Sequence, residues 1–176
     1  HHVFASLRPE FEDITVTCTS PSKTFNLAGL QLANIIIKNP TVRRAFVHEY
    51  RVSGYSELNV MGYVSTVAAY RNGGEWYDAM HEYIRKNAEY VKEFVDANLP
   101  KIRMINHEAT YLVWLDFRKT GLSVDELDNK IIYQSRLWLD SGKIFGKSGE
   151  GFQRINVACP RKILEEAMKR LKEVFG

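Results

Sequence analysis

Ile14-Thr15-Val16-Thr17-Cys18-Thr19, running into Ser20-Pro21-Ser22-Lys23-Thr24-Phe25-Asn26-Leu27-Ala28-Gly29-Leu30, is the stretch on which the fold of this chain turns. Ile14 to Cys18 alternates apolar and polar residues and is rich in β-branched side chains, which predicts a strand. Thr19 to Asn26 is polar and broken by Pro21, so the strand opens into a loop that carries Lys23. In open α/β sheets ligands bind in the crevice beyond the carboxyl ends of strands, and a lysine just past such an end projects there. The hydroxyls of Ser20 and Ser22, with amides of the turn, can hold a phosphate. A partly desolvated lysine beside them can form a Schiff base. On spacing alone the same loop also reads as a solvated lysine among hydroxyls.

Around this stretch the elements follow in order. Upstream, Ser6 to Asp13 predicts a short helical turn with Pro9 at an early position. Downstream, Leu32 to Ile37 ends in three isoleucines, the continuous apolar run of a strand covered on both faces. Asn39-Pro40-Thr41 starts a helix, and helices are expected over Thr41–Val52 and Leu58–Tyr70, separated at Ser53-Gly54-Tyr55. After Gly73-Gly74, the residues Trp76, Met80, Tyr83, Ile84, Ala88, Val91, Val95 and Leu99 recur at spacings of three and four. They predict one long amphipathic helix with a buried stripe, stopped by Pro100.

Composition changes past Pro100. Strands are expected at Ile102–Ile105, Tyr111–Phe117, Leu137–Leu139 and Arg154–Ala158. Ser123 and Glu126 form a capping box opening a helix to about Tyr133. A loop holding Gly142, Gly146, Gly149 and Gly151 precedes Arg154, and Arg161 to Phe175 closes the chain as an amphipathic helix with Ile163, Leu164, Ala167, Met168, Leu171 and Val174 on one face. A boundary is therefore expected near Pro100, with an α+β module after it. Two strands in the first part are too few to stand alone, so further strands are expected upstream of His1.

The chain has 176 residues, of which 45% are apolar and 26% charged, the balance of a chain that can bury a core. Its 24 basic and 21 acidic side chains leave a net charge of +3. The basic clusters Arg43-Arg44 and Lys169-Arg170 with Lys172 are flanked by acids, so nucleic-acid binding is not expected. No apolar run is long enough for a membrane-spanning helix. The chain opens with His1 rather than Met and without a charged-then-apolar leader, so it reads as a piece of a longer protein, with His1-His2 a tag remnant or a match to the family pattern described next. Cys18 and Cys159 are far apart in apolar or β-like runs and are expected to act as small core hydrophobes, with no disulfide framework.

Ser20 through Leu30 resembles the cofactor-lysine segment of fold-type I pyridoxal-phosphate (PLP) enzymes, within the class I/II aminotransferase family and nearest its cystathionine β-lyase-like (C–S β-lyase) branch. The resemblance also takes in Phe4-Ala5-Ser6-Leu7, Tyr111-Leu112-Val113-Trp114-Leu115-Asp116-Phe117 and Arg154-Ile155-Asn156-Val157-Ala158-Cys159-Pro160-Arg161, and so covers essentially the whole chain. It implies an α/β fold: residues 1–100 as the end of a large cofactor-binding domain, and 101–176 as a small carboxy-terminal α+β domain. It implies that Lys23 binds pyridoxal 5'-phosphate covalently and then serves as base at the substrate α-carbon. Ser20 matches a phosphate-binding position and Ser22 is a second candidate. Where many relatives carry a phosphate-clamping arginine, eight residues past the lysine, this chain has Gln31, which shifts weight to neutral hydrogen bonds. Arg154 matches the arginine that binds the substrate α-carboxylate, a task suited to a planar, permanently charged fork; without the resemblance it reads as a surface strand arginine. Tyr111 reads equally as a site residue or a core aromatic, while Tyr55, Glu57 and Asn59 fall in a segment that runs near the dimer interface in relatives.

The resemblance thus implies a cytoplasmic, homodimeric PLP enzyme that cleaves a β-thio-substituted amino acid to thiol, pyruvate and ammonia. Two alternatives stay open: an aminotransferase, which shares every step to the carbanion, and a non-catalytic module for dimerisation or partner binding. Relatives supply the ring stacked on the cofactor and the aspartate at its pyridine nitrogen from a longer amino-terminal portion, so the 176-residue chain alone is expected to bind cofactor weakly and lack useful turnover. No metal site is expected. His81-Glu82 lacks the second histidine of a zinc-protease helix, Arg85 standing in its place. His48 and His107 have no ligand-spaced neighbours, the glycine-rich loop lacks a Gly-Lys-Ser/Thr ending, and no Ser-His-Asp arrangement is spelled by the spacing.

Overall fold

The computed structural model describes residues 2–55 and 57–176, so the reading of His1 lies outside the described residues. The chain forms two compact units, His1–Asp78 and Ala79–Gly176. The division falls inside a helix and ahead of Pro100, because the carboxy-terminal half of that helix belongs to the core of the second unit.

In the first unit, two 3-10 turns at Phe4–Ser6 and Pro9–Ile14 lead into β1 (Val16–Thr19). This pairs antiparallel with β2 (Asn34–Ile37) in the register Val16↔Ile37 and Thr19↔Asn34. Helices α1 (Pro40–Val52) and α2 (Val60–Asn72) follow, each opened by an asparagine. Asn39 Oδ1 accepts from the amides of Thr41 and Val42 with Pro40 in the first turn, and Asn59 Oδ1 accepts from Met61, each satisfying donors that have no partner inside the helix. The chain breaks at Ser53 and Gly54 as its composition predicts.

Two expectations fail here. Ile35 and Ile36 are exposed and only Ile37 is buried, and Cys18 is exposed rather than a core residue. The reason is shared: among the described residues this sheet stops at two strands, which bury too little to cover both faces of an apolar run.

Helix α3 (Gly74–Asn98) begins in the first unit and continues into the second, ending before Pro100. Its stripe is buried at Ala88, Val91 and Val95, but Trp76 and Tyr83, expected within it, are exposed. Trp76 stacks instead on Phe25 with ring centroids 5.7 Å apart, and the Tyr83 hydroxyl accepts from the Arg161 amide at 2.7 Å.

The second unit is a four-stranded antiparallel sheet in the order β3 (Arg103–Met104), β4 (Leu112–Asp116), β6 (Phe152–Asn156), β5 (Asp140–Ser141). Pairings Val113↔Ile155 and Leu115↔Gln153 place buried side chains on one face, where Val91, Val95 and Leu99 meet Leu164, Met168 and Leu171 of α5 (Arg161–Phe175) in one core. By the period of two, Trp114↔Arg154 and Asp116↔Phe152 share the opposite face, and Asp140↔Arg154 extends that row onto β5.

Helix α4 (Val124–Asn129) carries the full capping box: Ser123 Oγ accepts from the Glu126 amide at 3.3 Å, and Glu126 accepts from the Ser123 amide at 2.9 Å. It runs on as a π-helical turn over Lys130–Gln134. The strand expected at Leu137–Leu139 is displaced to β5. The Leu137 amide bonds back to the Ile131 carbonyl and Arg136 takes a left-handed φ of 54°, so the backbone there is committed to ending the helix. Leu137 and Leu139 still pack on the core, and Trp138 between them is 87% exposed. In α5, Ile163 is 61% exposed against expectation, because the buried row runs 164, 168, 171 and position 163 stands about 100° around the helix from it.

Candidate active site

Lys23 lies in a single tight turn directly after β1. The Phe25 amide donates to the Pro21 carbonyl and the Leu27 amide to the Ser22 carbonyl, so Pro21–Leu27 winds once around. Pro21 is buried at its base and Lys23 is exposed on it. Phe25, two residues on, holds the turn from the other side: it meets Tyr70 edge-on at 6.1 Å and stacks on Trp76. The returning chain at Leu30 presses on α2 at Gly62, where a Cβ would stand 2.8 Å from the Leu30 carbonyl oxygen, so only glycine admits this approach.

Ser20 and Ser22 come together. Their Oγ atoms are 2.6 Å apart, the Ser22 amide donates to Ser20 Oγ at 3.1 Å, and Ser20 Oγ donates to the Leu32 carbonyl at 2.8 Å. Ser20 has a single hydroxyl proton and gives it to Leu32, so Ser22 is the donor between the two. This is a small oxygen-and-amide cluster one residue from Lys23. Gln31 is exposed in a left-handed conformation, φ 52°, and no cation stands there. Hydroxyls and a lysine amine on one turn fit a phosphate ester with a carbonyl beside it, held by neutral hydrogen bonds.

Arg154 belongs to the second unit, on the face of the sheet opposite the core. Its Nε and Nη2 donate to a single oxygen, Oδ2 of Asp140, at 3.0 and 2.7 Å, and its guanidinium carbon lies 4.5 Å from the centre of the Phe145 ring. Trp114, its cross-strand partner on β4, meets Phe145 edge-on at 5.1 Å. Phe145 is brought there by two 3-10 turns, Gly142–Phe145 and Lys147–Gly149, whose ends nearly touch. A Cβ on Gly142 would stand 1.9 Å from the Gly149 carbonyl oxygen, and one on Gly149 2.2 Å from that of Gly142. Lys143 ties the loop to Asp128 at 2.7 Å. Asp140 and Phe145 are not among the residues that the sequence singles out. The glycine spacing was the signal for the loop, and only the pairing of β5 with β6 shows which acid faces Arg154.

The other candidates fall outside these two clusters. Tyr111 is half-buried and packs against the second core. Tyr55 packs edge-on against Tyr50 at 5.5 Å, Asn59 caps α2, and Glu57 and His48 are exposed. His107 Nε2 is buried without a hydrogen-bond partner. Among the described residues no three of His, Cys, Asp and Glu gather as for a metal ion, and no helix is long and apolar enough to cross a membrane.

This mixed α/β arrangement is that of PLP enzymes of known structure. Cystalysin from Treponema denticola, which contains a pyridoxal 5'-phosphate cofactor, superposes with a TM-score of 0.94 at 37% identity over 99% of this chain and 44% of its own. The PLP-bound C–S lyase from Staphylococcus hominis does so with a TM-score of 0.81 at 30% identity, over 93% and 42%. Residues 2–171 match the family model for aminotransferase class I and II, and the chain belongs to that family, in its cystathionine β-lyase and C–S lyase branch. Cystathionine beta-lyase PatB of Bacillus subtilis (strain 168) is 41% identical over all 176 residues, which are 46% of its length. The chain thus spans under half the length of these relatives.

Proposed function

We propose that the whole protein is a PLP-dependent C–S β-lyase, and that this chain carries its cofactor lysine and its carboxylate-binding arginine. The observation that carries the reading is the turn after β1, with Lys23 exposed beside the paired Ser20 and Ser22 hydroxyls, in a chain 41% identical to a cystathionine β-lyase. To hold the phosphate, Ser20 would swing its hydroxyl proton away from the Leu32 carbonyl and Ser22 its own away from Ser20 Oγ, with no change of backbone. When bound, PLP supplies an electron sink for a carbanion at the substrate α-carbon. Arg154 holds the α-carboxylate as a planar charged fork. Lys23 Nζ takes the α-proton, and the electrons left at the α-carbon expel the β-thiolate, which takes up a proton to leave as thiol; water then hydrolyses the released aminoacrylate to pyruvate and ammonia. The protein in this reading is a cytoplasmic homodimer.

The test is borohydride reduction of the PLP-treated whole protein with peptide mapping, beside a pyruvate-release assay on L-cystathionine. The pyridoxyl group is expected on Lys23, and Lys23→Ala is expected to lower pyruvate release by at least about a thousandfold, the range lost with a positioned base or nucleophile. Labelling spread over exposed lysines with no preference for Lys23 would overturn the cofactor assignment. Labelling at Lys23 with amino transfer to a 2-oxo acid in place of pyruvate release would make the protein an aminotransferase.

A further inference from the structure

Arg154 is gripped along one edge and one face, and those contacts leave its other edge open. Both bonds from Asp140 reach the same side of the guanidinium, Nε and Nη2, through one carboxylate oxygen, and Phe145 covers one face. A guanidinium has five N–H donors in one plane. With the Nε/Nη2 side committed, the end edge keeps one hydrogen on Nη1 and one on Nη2, the pair of parallel donors that a carboxylate accepts bidentately.

The grip is built from backbone. Asp140 and Arg154 are register partners of β5 and β6, so their separation is set by strand pairing. Phe145 is fixed by the closed glycine loop, by Lys143 on Asp128 and by the edge of Trp114. The Arg154 side chain is accordingly only 24% exposed. An arginine immobilised before its ligand arrives does not lose its rotamer freedom on binding, and that gain appears as affinity.

We propose that Asp140, together with Phe145, is the positioning residue for Arg154: Asp140 fixes the roll of the guanidinium so that its end edge meets an amino-acid carboxylate, and Phe145 fixes its plane. This rests on Arg154 binding the substrate carboxylate. Asp140 touches no substrate in this arrangement and acts through Arg154.

The experiment measures dissociation constants of L-alanine and ethylamine, the same amine with and without a carboxylate, by calorimetry on the PLP-loaded whole protein and its variants. Asp140→Ala is expected to weaken L-alanine about tenfold, the loss of one charge-assisted orienting contact, with ethylamine unchanged. Asp140→Asn retains a carbonyl acceptor for the Nε/Nη2 edge and is expected to recover L-alanine binding to within about threefold of the parent. Tighter L-alanine binding in both variants would show that Asp140 competes for Arg154 and would overturn the proposal. Equal weakening of both ligands by Asp140→Ala, or no weakening, would overturn it too. Arg154→Gln separates the layers: if it weakens L-alanine alone while Asp140→Ala does not, the positioning role fails and the carboxylate role stands. If it leaves the preference for L-alanine intact, the carboxylate role fails and the proposal with it.

Discussion

Asp116, at the end of β4, shows what a single side chain can contribute. Its carboxylate is almost fully buried and accepts from the amide, Nε and Nη2 of Arg118 at 3.0, 2.9 and 2.8 Å and from Arg103 Nη2 at 3.2 Å. The Arg118 side chain, foremost, holds its pKa down at about 2 against burial, which pushes the other way. A carboxylate depressed in the folded state contributes stability that is complete above its unfolded pKa and lost as pH falls through the folded value. Asp116 is therefore expected to add on the order of 2 kcal/mol above pH ~4, fading as the pH falls toward ~2. Urea unfolding at pH 7 and pH 3 checks this: Asp116→Asn should cost about 1–3 kcal/mol at pH 7 and distinctly less at pH 3. On spacing alone Lys23 also reads as a solvated lysine and Arg154 as a surface strand arginine, so at this scale they stand out through the family motifs around them. Asp116 and Asp140 do not, because a carboxylate looks like any surface acid until the strand beside it is known; Asp140 meets Arg154 only through the β5–β6 register.

Local chemistry decides some elements and distant packing the others. The Ser123–Glu126 box was readable because both partners lie within one turn, and Ser123→Ala is expected to cost about 1 kcal/mol in thermal or denaturant unfolding. The asparagine caps of α1 and α2 were readable for the same reason. The strand at Leu137–Leu139 was misplaced because its alternation is real but its amide is used by Ile131, a bond set by how α4 ends. The glycine loop lies between these cases: its glycines are visible in the sequence, their mutual contact is not. Gly149→Ala would force a Cβ against the Gly142 backbone, so it is expected to cost at least about 2 kcal/mol. The same change should release Phe145 from Arg154, read as lost upfield ring-current shifts on the arginine side-chain protons.

The two units differ in how much core each one holds. Among the described residues the first unit buries few apolar side chains, Ile37 and Pro21, while a continuous cluster from Ala88 to Leu171 fills the second. Local stability follows buried apolar contact. Hydrogen exchange on the 176-residue chain should therefore show β1, β2 and α1 exchanging well before β4 and β6; equal protection would contradict this ordering. The strand pattern of Leu32–Ile37 announced a covered strand, and here the sequence described more sheet than these residues supply. That open sheet has a colloidal consequence. Every strand of a two-stranded sheet is an edge, and these edges sit beside exposed Val16, Ile35 and Ile36. Unpaired amides and carbonyls next to apolar side chains are a template for a strand from another molecule. For a concentrated stock of the 176-residue chain, shelf life would thus be limited by slow turbidity rather than by loss of helix, and a charge at the outermost isoleucine, Ile36→Lys, should lengthen it.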